Sequence, residues 1–244
     1  MVSEIQSVHA IQERNQKKKE SDLGLKITPY NQRTMREKYL FNGIENIGYL
    51  DVECTNLDAD FGHLLSWVLW IRDVQTGKIV RKHGDYFKQE DIDVCARNRE
   101  TTFDKRMLNN LINAINDKKY PVHLLIGHYF HGWGKMDIPF IRTRLAECGL
   151  LDKFKKHRQI RFGDTWRMAH QTHKIHSYRL DSVGDIFGIK NLKTRLKGDE
   201  WILANKGDKK AVSYVYDHNK KDVKLTWKTH LGLEEFVPIP ASYV

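Results

Sequence analysis

The sequence predicts one α/β domain built on a mixed sheet, and two observations lead to this fold class. Five segments have the composition of strands, because they are dense in β-branched, aromatic and other apolar residues. Segments with helical apolar periodicity lie among the later strands, as in proteins whose helices connect neighbouring strands. The length of 244 residues suits one large domain of this class. The predicted strands are 47–54, 66–72, 79–87, 122–127 and 160–164.

The connections between these strands predict their pairing and the helices. The first three strands follow one another without a predicted helix, so we expect them to be antiparallel. Apolar residues at helical spacing predict a helix over 101–117. A proline in the first turn and a glycine at the end mark a second helix at 139–149. Two further helices are predicted over 178–188 and 209–231.

The chain divides into three segments by composition. Residues 1–45 are polar and basic, and their apolar residues are too sparse to predict a core face. We interpret them as a basic N-terminal extension, either a solvated tail or a segment packed weakly on the body or a partner. The main folded domain is predicted over 46–231. Residues 232–244 contain two prolines and are predicted to form an extended C-terminal tail.

Composition limits the classes of function. Lys and Arg number 41 against 31 Asp and Glu, which gives a formal charge of +10. Such an excess favours a polyanionic partner such as nucleic acid, although a plain basic surface gives the same count. The three cysteines form no paired framework, no apolar run approaches the roughly 18 residues of a membrane span, and the N-terminus lacks a signal-peptide core. We therefore expect an intracellular protein, cytoplasmic or nucleoid-associated, without a membrane partner.

A pair of carboxylates in the first strand is the first candidate site. Asp51 and Glu53 are separated by one residue, so both side chains point to the same face of the strand. Two adjacent carboxylates repel each other, and a divalent cation such as Mg²⁺ or Mn²⁺ removes that penalty. The alternative is a strand end with two solvated acids.

Two further segments carry candidate residues, each with a structural alternative. Asp137 lies just before the proline that starts the second helix, where a carboxylate serves either as a metal ligand or as an N-cap. His218 and Asp222 are four residues apart in the last helix and share one face. Read alone, that spacing also fits an ordinary surface pair.

In their order along the chain, Asp51, Glu53, Asp137 and Asp222 resemble the motif set of the DEDD exonuclease superfamily, which has a ribonuclease H-like fold. The resemblance covers about residues 46–231. In this chain the segment DVECTNLDADFG is similar to the first motif of the superfamily, and the segment GHYFHGWGKMDIPFI is similar to the second. Between the motifs, SYRLDSVGDIFGI followed by Lys193 and Thr194 resembles an element of stand-alone exonucleases and of family-B polymerase proofreading domains.

The resemblance implies 3′–5′ hydrolysis of phosphodiester bonds by two ions, Mg²⁺ or Mn²⁺. It implies that Asp51 contacts both metals, that Glu53 and Asp222 complete the site that activates water, and that Asp137 supports the second metal. His218 stands where the tyrosine subgroup of the superfamily has its tyrosine, and we expect it to orient or deprotonate the water. An unperturbed imidazole has a pKa of about 6.5 and can accept a proton at neutral pH, as a phenol cannot.

The second motif also departs from the family pattern, with Tyr129 where Asn is common and Met136 where Phe is usual.

The basic residues predict a nucleic-acid surface around this site, and the partner implied is a single-stranded 3′ end. Basic clusters occur at 153–161, 190–197, 206–210 and 218–228. Four aromatic residues are candidates for stacking on bases, although such residues also form cores: Trp133, Trp166, Tyr178 and Trp201. The predicted nucleic-acid-binding residues are Thr55, Tyr178, Lys193, Arg195, Lys220 and Lys221.

Three alternatives remain beside the exonuclease. A structure-selective endonuclease could use the same fold, and an inactive nucleic-acid-binding module could keep the surface without hydrolysis. The histidines also allow a structural zinc site, since they recur three residues apart at 128 and 131 and at 170, 173 and 176. The sequence gives no oligomeric state.

Overall fold

A five-stranded mixed sheet forms the centre of the protein in a computed structural model, which describes residues 32–130, 136–155, 159–190 and 198–240. The strand order is β3-β2-β1-β4-β5. The strands are β1 (Asn46–Cys54), β2 (Leu64–Asp73), β3 (Ile79–Tyr86), β4 (Leu124–Gly127) and β5 (Arg161–Asp164). β2 is antiparallel to its neighbours β1 and β3, while β4 and β5 run parallel to β1. The predicted α/β class and mixed five-stranded sheet are confirmed.

Helices flank this sheet, and some were not predicted. Within the described residues the helices are α1 (Met35–Phe41), α2 (Gln89–Asn98), α3 (Lys105–Ile115), α4 (Asp137–Glu147), α5 (Thr165–Thr172), α6 (Leu180–Ile186), α7 (Gly198–Asn205) and α8 (Lys209–Leu233), with a 3-10 turn at Leu151–Lys153. The predicted helices correspond to α3, α4, α6 and α8, with ends shifted by a few residues. The four that were missed are short or polar. For example, α2 consists mostly of polar and charged residues and buries only Asp91 and Cys95.

The two faces of the sheet have separate cores. Leu50 and Val52 of β1 face the side covered by α3 and α4, where they join a large apolar cluster. Tyr49 faces the opposite side, which is covered by α1 and α8. Because side chains alternate along a strand, Asp51 and Glu53 point to the side of α8. This alternation places the paired carboxylates next to the last helix.

The segment just before β1 corrects the sequence interpretation of residues 1–45. Tyr39, Leu40 and Ile44 are buried in the cluster beneath α8, so the stretch around α1 is part of the core. Its apolar residues are few but adjacent in space, which composition averaged over 45 residues concealed. Residues 1–31 lie outside the described part of the chain, and the division into extension and domain stays a prediction for them.

The structure also shows the state of the cysteines and the apolar character of the helices in the described ranges. All three cysteines are buried free thiols. In these ranges no helix combines the length and apolar character needed to cross a bilayer.

Candidate active site

The candidate residues converge at the carboxyl ends of the parallel strands, the edge where open α/β sheets commonly bind ligands. β1 brings Asp51 and Glu53 to this edge, and the chain after β4 leads to Asp137 at the start of α4. α8 packs on the same face as the β1 carboxylates and contributes His218 and Asp222. The fold therefore brings together five residues from three distant parts of the sequence.

His218 connects the carboxylates of β1 and α8. Its Nε2 lies 3.4 Å from an Asp222 oxygen and 3.9 Å from a Glu53 oxygen. His218 is 5 % exposed and Asp222 is 8 % exposed, so this is not the surface pair that the spacing alone allowed. Asp51 and Asp222 line the same pocket, whose volume is about 540 Å³. The cluster is thus mostly buried but open to a pocket on one side.

A buried hydrogen bond fixes the position of α8 on the sheet beside this cluster. Asn219 donates from Nδ2 to the Ser66 hydroxyl at 3.2 Å, and both residues are fully buried. Ser66 is the β2 partner of Glu53 in the strand register. Sliding α8 along the sheet would break this buried polar bond, which makes the observed position of His218 the favoured one.

The carboxyl of Asp137 is buried close to other negatively charged carboxylates. Burial raises the pKa of its carboxyl well above the usual range, and the charges of Glu53 and Asp164 raise that pKa further. Met136 is the N-cap residue of α4, and no side-chain capping bond is formed there. Asp137 is therefore the first residue of the helix and not its N-cap.

The pKa of the Cys54 thiol is affected by the same group of carboxylates. Burial raises the pKa of its thiol to about 12, with Glu53 and Asp137 as the next causes. Two of the candidate carboxylates from different motifs therefore lie within electrostatic reach of one β1 side chain.

Asp164 is a fifth carboxylate at this edge, and sequence reasoning missed it. It is 3 % exposed at the end of β5. Its Oδ1 accepts from the backbone N–H groups of Tyr129 and Trp166, at 3.0 and 2.9 Å, and its Oδ2 accepts from that of Phe130 at 2.9 Å. The sequence signal that could have identified Asp164 is its position as an acidic residue at the end of a predicted strand. Its role depends on contacts with a turn more than thirty residues away, which no local pattern reveals.

The turn held by Asp164 has an unusual backbone. Tyr129 has φ of +57°, in the left-handed region that favours Gly and Asn. Gly127 precedes the turn, and a Cβ atom there would collide with the Phe130 ring. The Asn that is common at this position in the resembling family tolerates the same conformation, which gives the family pattern a physical basis.

The carboxylates at this edge of the sheet are of the chemical type that binds divalent cations. Carboxylate oxygens are the ligands that Mg²⁺ and Mn²⁺ prefer, and a cation would offset the repulsion that raises the pKa of Asp137. Within the described ranges, however, no three or more His, Cys, Asp or Glu side chains are arranged so that they could hold a metal ion. The carboxylates are gathered, but they do not form a ready-made metal site.

The predicted nucleic-acid-binding residues fall into four groups. Tyr178 lines the pocket beside Asp51 and Asp222. Thr55 follows β1, and its hydroxyl accepts from the His63 backbone N–H at 3.0 Å, which closes the loop between them. Lys220 and Lys221 lie on α8 next to the site, and Lys220 pairs with Asp217 at 2.5 Å. Lys193 and Arg195 lie outside the described residues, as does Trp133.

Two members of the basic cluster at 153–161 have structural roles instead. Lys155 donates to the Val122 carbonyl at 2.7 Å, and burial lowers the pKa of its ammonium group. Arg161 donates to the Asn42 carbonyl at 3.1 Å. The basic cluster is thus a weaker predictor of phosphate contacts than its count of basic residues suggested.

Among the residues predicted to stack on bases, Trp201 packs instead against the core under α3 and α4.

The histidines do not form a zinc site in the described part of the chain. His128 has hydrogen-bond partners on both ring nitrogens, the Thr165 hydroxyl at 2.9 Å and the Tyr178 carbonyl at 3.0 Å. His170 stacks on Trp166, and His173 packs edge-on against Phe187. His131 lies outside the described residues.

The chain was also compared with known proteins. No model of a protein family matches it. No curated protein matches it significantly.

Proposed function

We propose that this protein is a metal-dependent 3′–5′ exonuclease with a ribonuclease H-like fold. The strand order β3-β2-β1-β4-β5, with β4 and β5 parallel to β1, supports that fold. The 3′–5′ polarity and the preference for a strand end rest on the resemblance of the sequence motifs to the DEDD superfamily. The +10 charge of the chain suits a polyanionic substrate.

The observation that carries the proposal is the meeting of the motifs around one pocket. Asp51 and Asp222 line it, His218 lies within 4 Å of Glu53 and Asp222, and the Glu53 charge acts on Asp137. Carboxylates repel one another, so gathering four at one sheet edge costs stability unless a cation binds them. A role in binding and catalysis therefore explains this cluster of carboxylates better than a contribution to the stability of the fold does.

His218 is the residue placed to handle a proton. In the tautomer that leaves Nε2 unprotonated, this nitrogen would accept a proton from a water bound beside Glu53 and Asp222. The imidazolium that forms is stabilised by Asp222 at 3.4 Å and Glu53 at 3.9 Å. Asp51, Glu53, Asp137 and Asp222 are the residues that would hold divalent ions once their side chains move closer together, because they form no ready-made site in the described ranges. Such ions would supply Lewis-acid stabilisation of the attacking and leaving oxygens.

One gel experiment tests the proposal. The substrates are 5′-labelled DNA and RNA, single- and double-stranded, with Mg²⁺ or Mn²⁺. The wild type should shorten the strand from its 3′ end in steps, and Asp51→Ala should abolish hydrolysis. Asp217→Ala is the matched control, because Asp217 is an exposed acid of α8 directly beside His218. Activity that survives in Asp51→Ala contradicts the site assignment.

A circular single strand separates exonuclease from endonuclease action, because only an endonuclease cuts a substrate without ends.

Two observations favour a second candidate, a nucleic-acid-binding module without hydrolysis. The described His, Cys, Asp and Glu side chains do not form a ready-made ion site, and a histidine stands at the position of the family tyrosine. Calorimetric titration with Mn²⁺ separates the candidates. The exonuclease should bind Mn²⁺ in a way that Asp51→Ala abolishes, whereas the binding module should show no such difference.

A further inference from the structure

β3 is an edge strand of the sheet, and part of its backbone points away from the other strands. Beside its end, the Phe87 N–H donates to the Leu65 carbonyl of the neighbouring chain segment at 2.8 Å. Hydrogen-bonded pairs alternate with non-bonded pairs along an antiparallel ladder. Every second residue before Phe87 therefore faces β2, whereas the N–H and C=O groups of Lys82, Gly84 and Tyr86 point outward.

The outward groups are closed at one end of this edge and open in the middle. The Tyr86 N–H donates to Asp85 Oδ1 at 2.9 Å, and the Tyr86 carbonyl accepts from Arg106 Nη2 at 3.0 Å. Lys82 and Gly84 are exposed, and within the described ranges their outward backbone groups have no such partners. The open stretch therefore presents two N–H donors and two carbonyl acceptors, with a spacing of about 6.6 Å between the two residues.

A polar pocket adjoins the open stretch on the side of α3. Its volume is about 520 Å³, and its lining includes Lys88, Arg106, Asn110 and Asn113. Asp85 also lines it, but this carboxylate already accepts from Arg106 at 2.5 Å and from Asn110 at 2.7 Å. The charge of Asp85 is thus compensated within the protein, and Lys88 and Asn113 can donate to a ligand in the pocket.

Lysines flank the open stretch on both faces of the sheet. The Lys82 ammonium lies 4.5 Å from the centroid of the Trp70 ring on the face of α8, and Lys88 lines the pocket on the face of α3. In the described part of the chain neither lysine pairs with an acid. A lysine in an edge strand opposes pairing with a second copy of that strand, because like charges would meet. The same charges favour an acidic strand.

We propose that this edge of β3 binds a short, extended and acidic peptide segment of a partner protein, which pairs with β3 as an added strand. The peptide backbone bonds to the outward groups of Lys82 and Gly84, and its acidic side chains approach Lys82 on one face and Lys88 on the other. A nucleic-acid backbone fits less well, because its phosphates would face outward carbonyls as well as N–H groups. The proposal does not depend on the proposed exonuclease activity.

Fluorescence anisotropy without added metal tests this docking. The probe is a short fluorescein-labelled peptide of alternating glutamate and valine. Its control is the same peptide N-methylated at every residue, which keeps the charges but has no backbone donors. The wild type should bind the probe about tenfold more tightly than the control, since the control cannot donate to the outward carbonyls. Equal affinities, or no binding of either peptide, would overturn the proposal.

Two substitutions of Lys82 separate backbone pairing from charge. Lys82→Ala removes the charge and should weaken binding of the probe about threefold. Lys82→Pro also removes the outward N–H, which the β2 ladder does not use, and should weaken binding about tenfold or more. Lys153→Ala removes an exposed lysine of the 3-10 turn and should bind like the wild type. Equal losses in the Ala and Pro variants would contradict backbone pairing.

Hydrogen exchange followed by NMR gives a readout on the wild-type protein, whether or not Lys82→Pro folds. Saturation with the probe should slow exchange of the Lys82 and Gly84 amides, while the His83 amide, which already faces β2, should not change. Unchanged exchange at Lys82 and Gly84 would overturn the proposal. A short oligothymidylate that displaces the probe and binds Lys82→Pro less tightly than Lys82→Ala would also overturn it, because the edge would then be a nucleic-acid surface.

Discussion

His218 shows how a single residue gains its role from burial and neighbours. Its spacing to Asp222 is that of any i,i+4 pair, but its Nε2 faces carboxylates from both β1 and α8. The residue five positions before Asp222, where the histidine subgroup of the resembling family has its histidine, is Asp217, which is exposed and pairs with Lys220. Residue identity and position together therefore point to His218 as the proton acceptor.

Replacing His218 tests this role. His218→Ala should lower turnover by about a hundredfold or more, the usual contribution of a general base, with little change in Mn²⁺ affinity. Single-turnover hydrolysis and calorimetric titration measure the two effects separately. Asp217→Ala should match the wild type in both. If His218→Ala hydrolyses at the wild-type rate, another group activates the water.

At the scale of secondary-structure elements, a buried ion pair holds the first two motifs together. Arg144 of α4 binds Asp104 through two hydrogen bonds of 3.0 and 2.9 Å, and both side chains are nearly or fully buried. The same guanidinium donates to the Ala59 carbonyl in the loop after β1. Asp104 also accepts from the Leu64 N–H at the start of β2. The helix that begins with Asp137 is thereby tied to the strands that carry Asp51 and Glu53.

Breaking this pair should destabilise the fold strongly. Arg144→Met leaves the Asp104 charge buried without its partner and should lower the free energy of unfolding by about 3–5 kcal/mol. Adding Asp104→Asn should recover part of that loss, because the neutral amide still accepts from Leu64. Urea unfolding measures both variants, with the exposed Arg97→Met as the control within about 0.5 kcal/mol of wild type. An Arg144→Met effect as small as the control would contradict the structural role of the pair.

At the scale of the whole molecule, a buried polar network joins α1, β1, β2 and α8. His230 is fully buried, and the hydroxyls of Tyr39 and Tyr49 lie 3.2 and 3.0 Å from its two ring nitrogens. Arg72 pairs with Glu234 at 2.7 Å beside it. Burial lowers the pKa of His230 well below the usual range, and the Arg72 charge lowers it further. The histidine is therefore neutral in the folded protein.

This network predicts a loss of stability in mild acid. In the unfolded chain His230 has an ordinary pKa of about 6.5, so below that pH the unfolded state binds a proton that the folded state does not. The free energy of unfolding should fall by up to about 1.4 kcal/mol per pH unit for this residue, from pH 6.5 down to its folded pKa. Burial also lowers the pKa values of three other histidines, which act in the same direction: His63, His83 and His123.

Urea unfolding at several pH values between 7.5 and 5 measures the slope. His230→Gln should be less stable than wild type at pH 7.5 but should lose stability less steeply towards pH 5. A variant with the wild-type slope would show that His230 does not contribute to the acid sensitivity.

Local sequence patterns were sufficient to predict the strands, the long helices and the order of the candidate carboxylates. These depend on local composition and on periodicities of two and 3.6 residues, which act over a few neighbouring residues. Asp51 and Glu53 were assigned to one face of a strand for this reason, and α8 was predicted almost to its full length.

Long-range packing sets which of these residues meet and in what environment, and no local pattern reveals it. The burial of His218, the raised pKa of Asp137 and the three backbone hydrogen bonds to Asp164 come from β1, β4, β5 and α8 packing together. The short helices that were missed depend on such long-range contacts as well. The left-handed Tyr129 is the clearest case, since Asp164 holds a conformation that the tyrosine would not adopt alone.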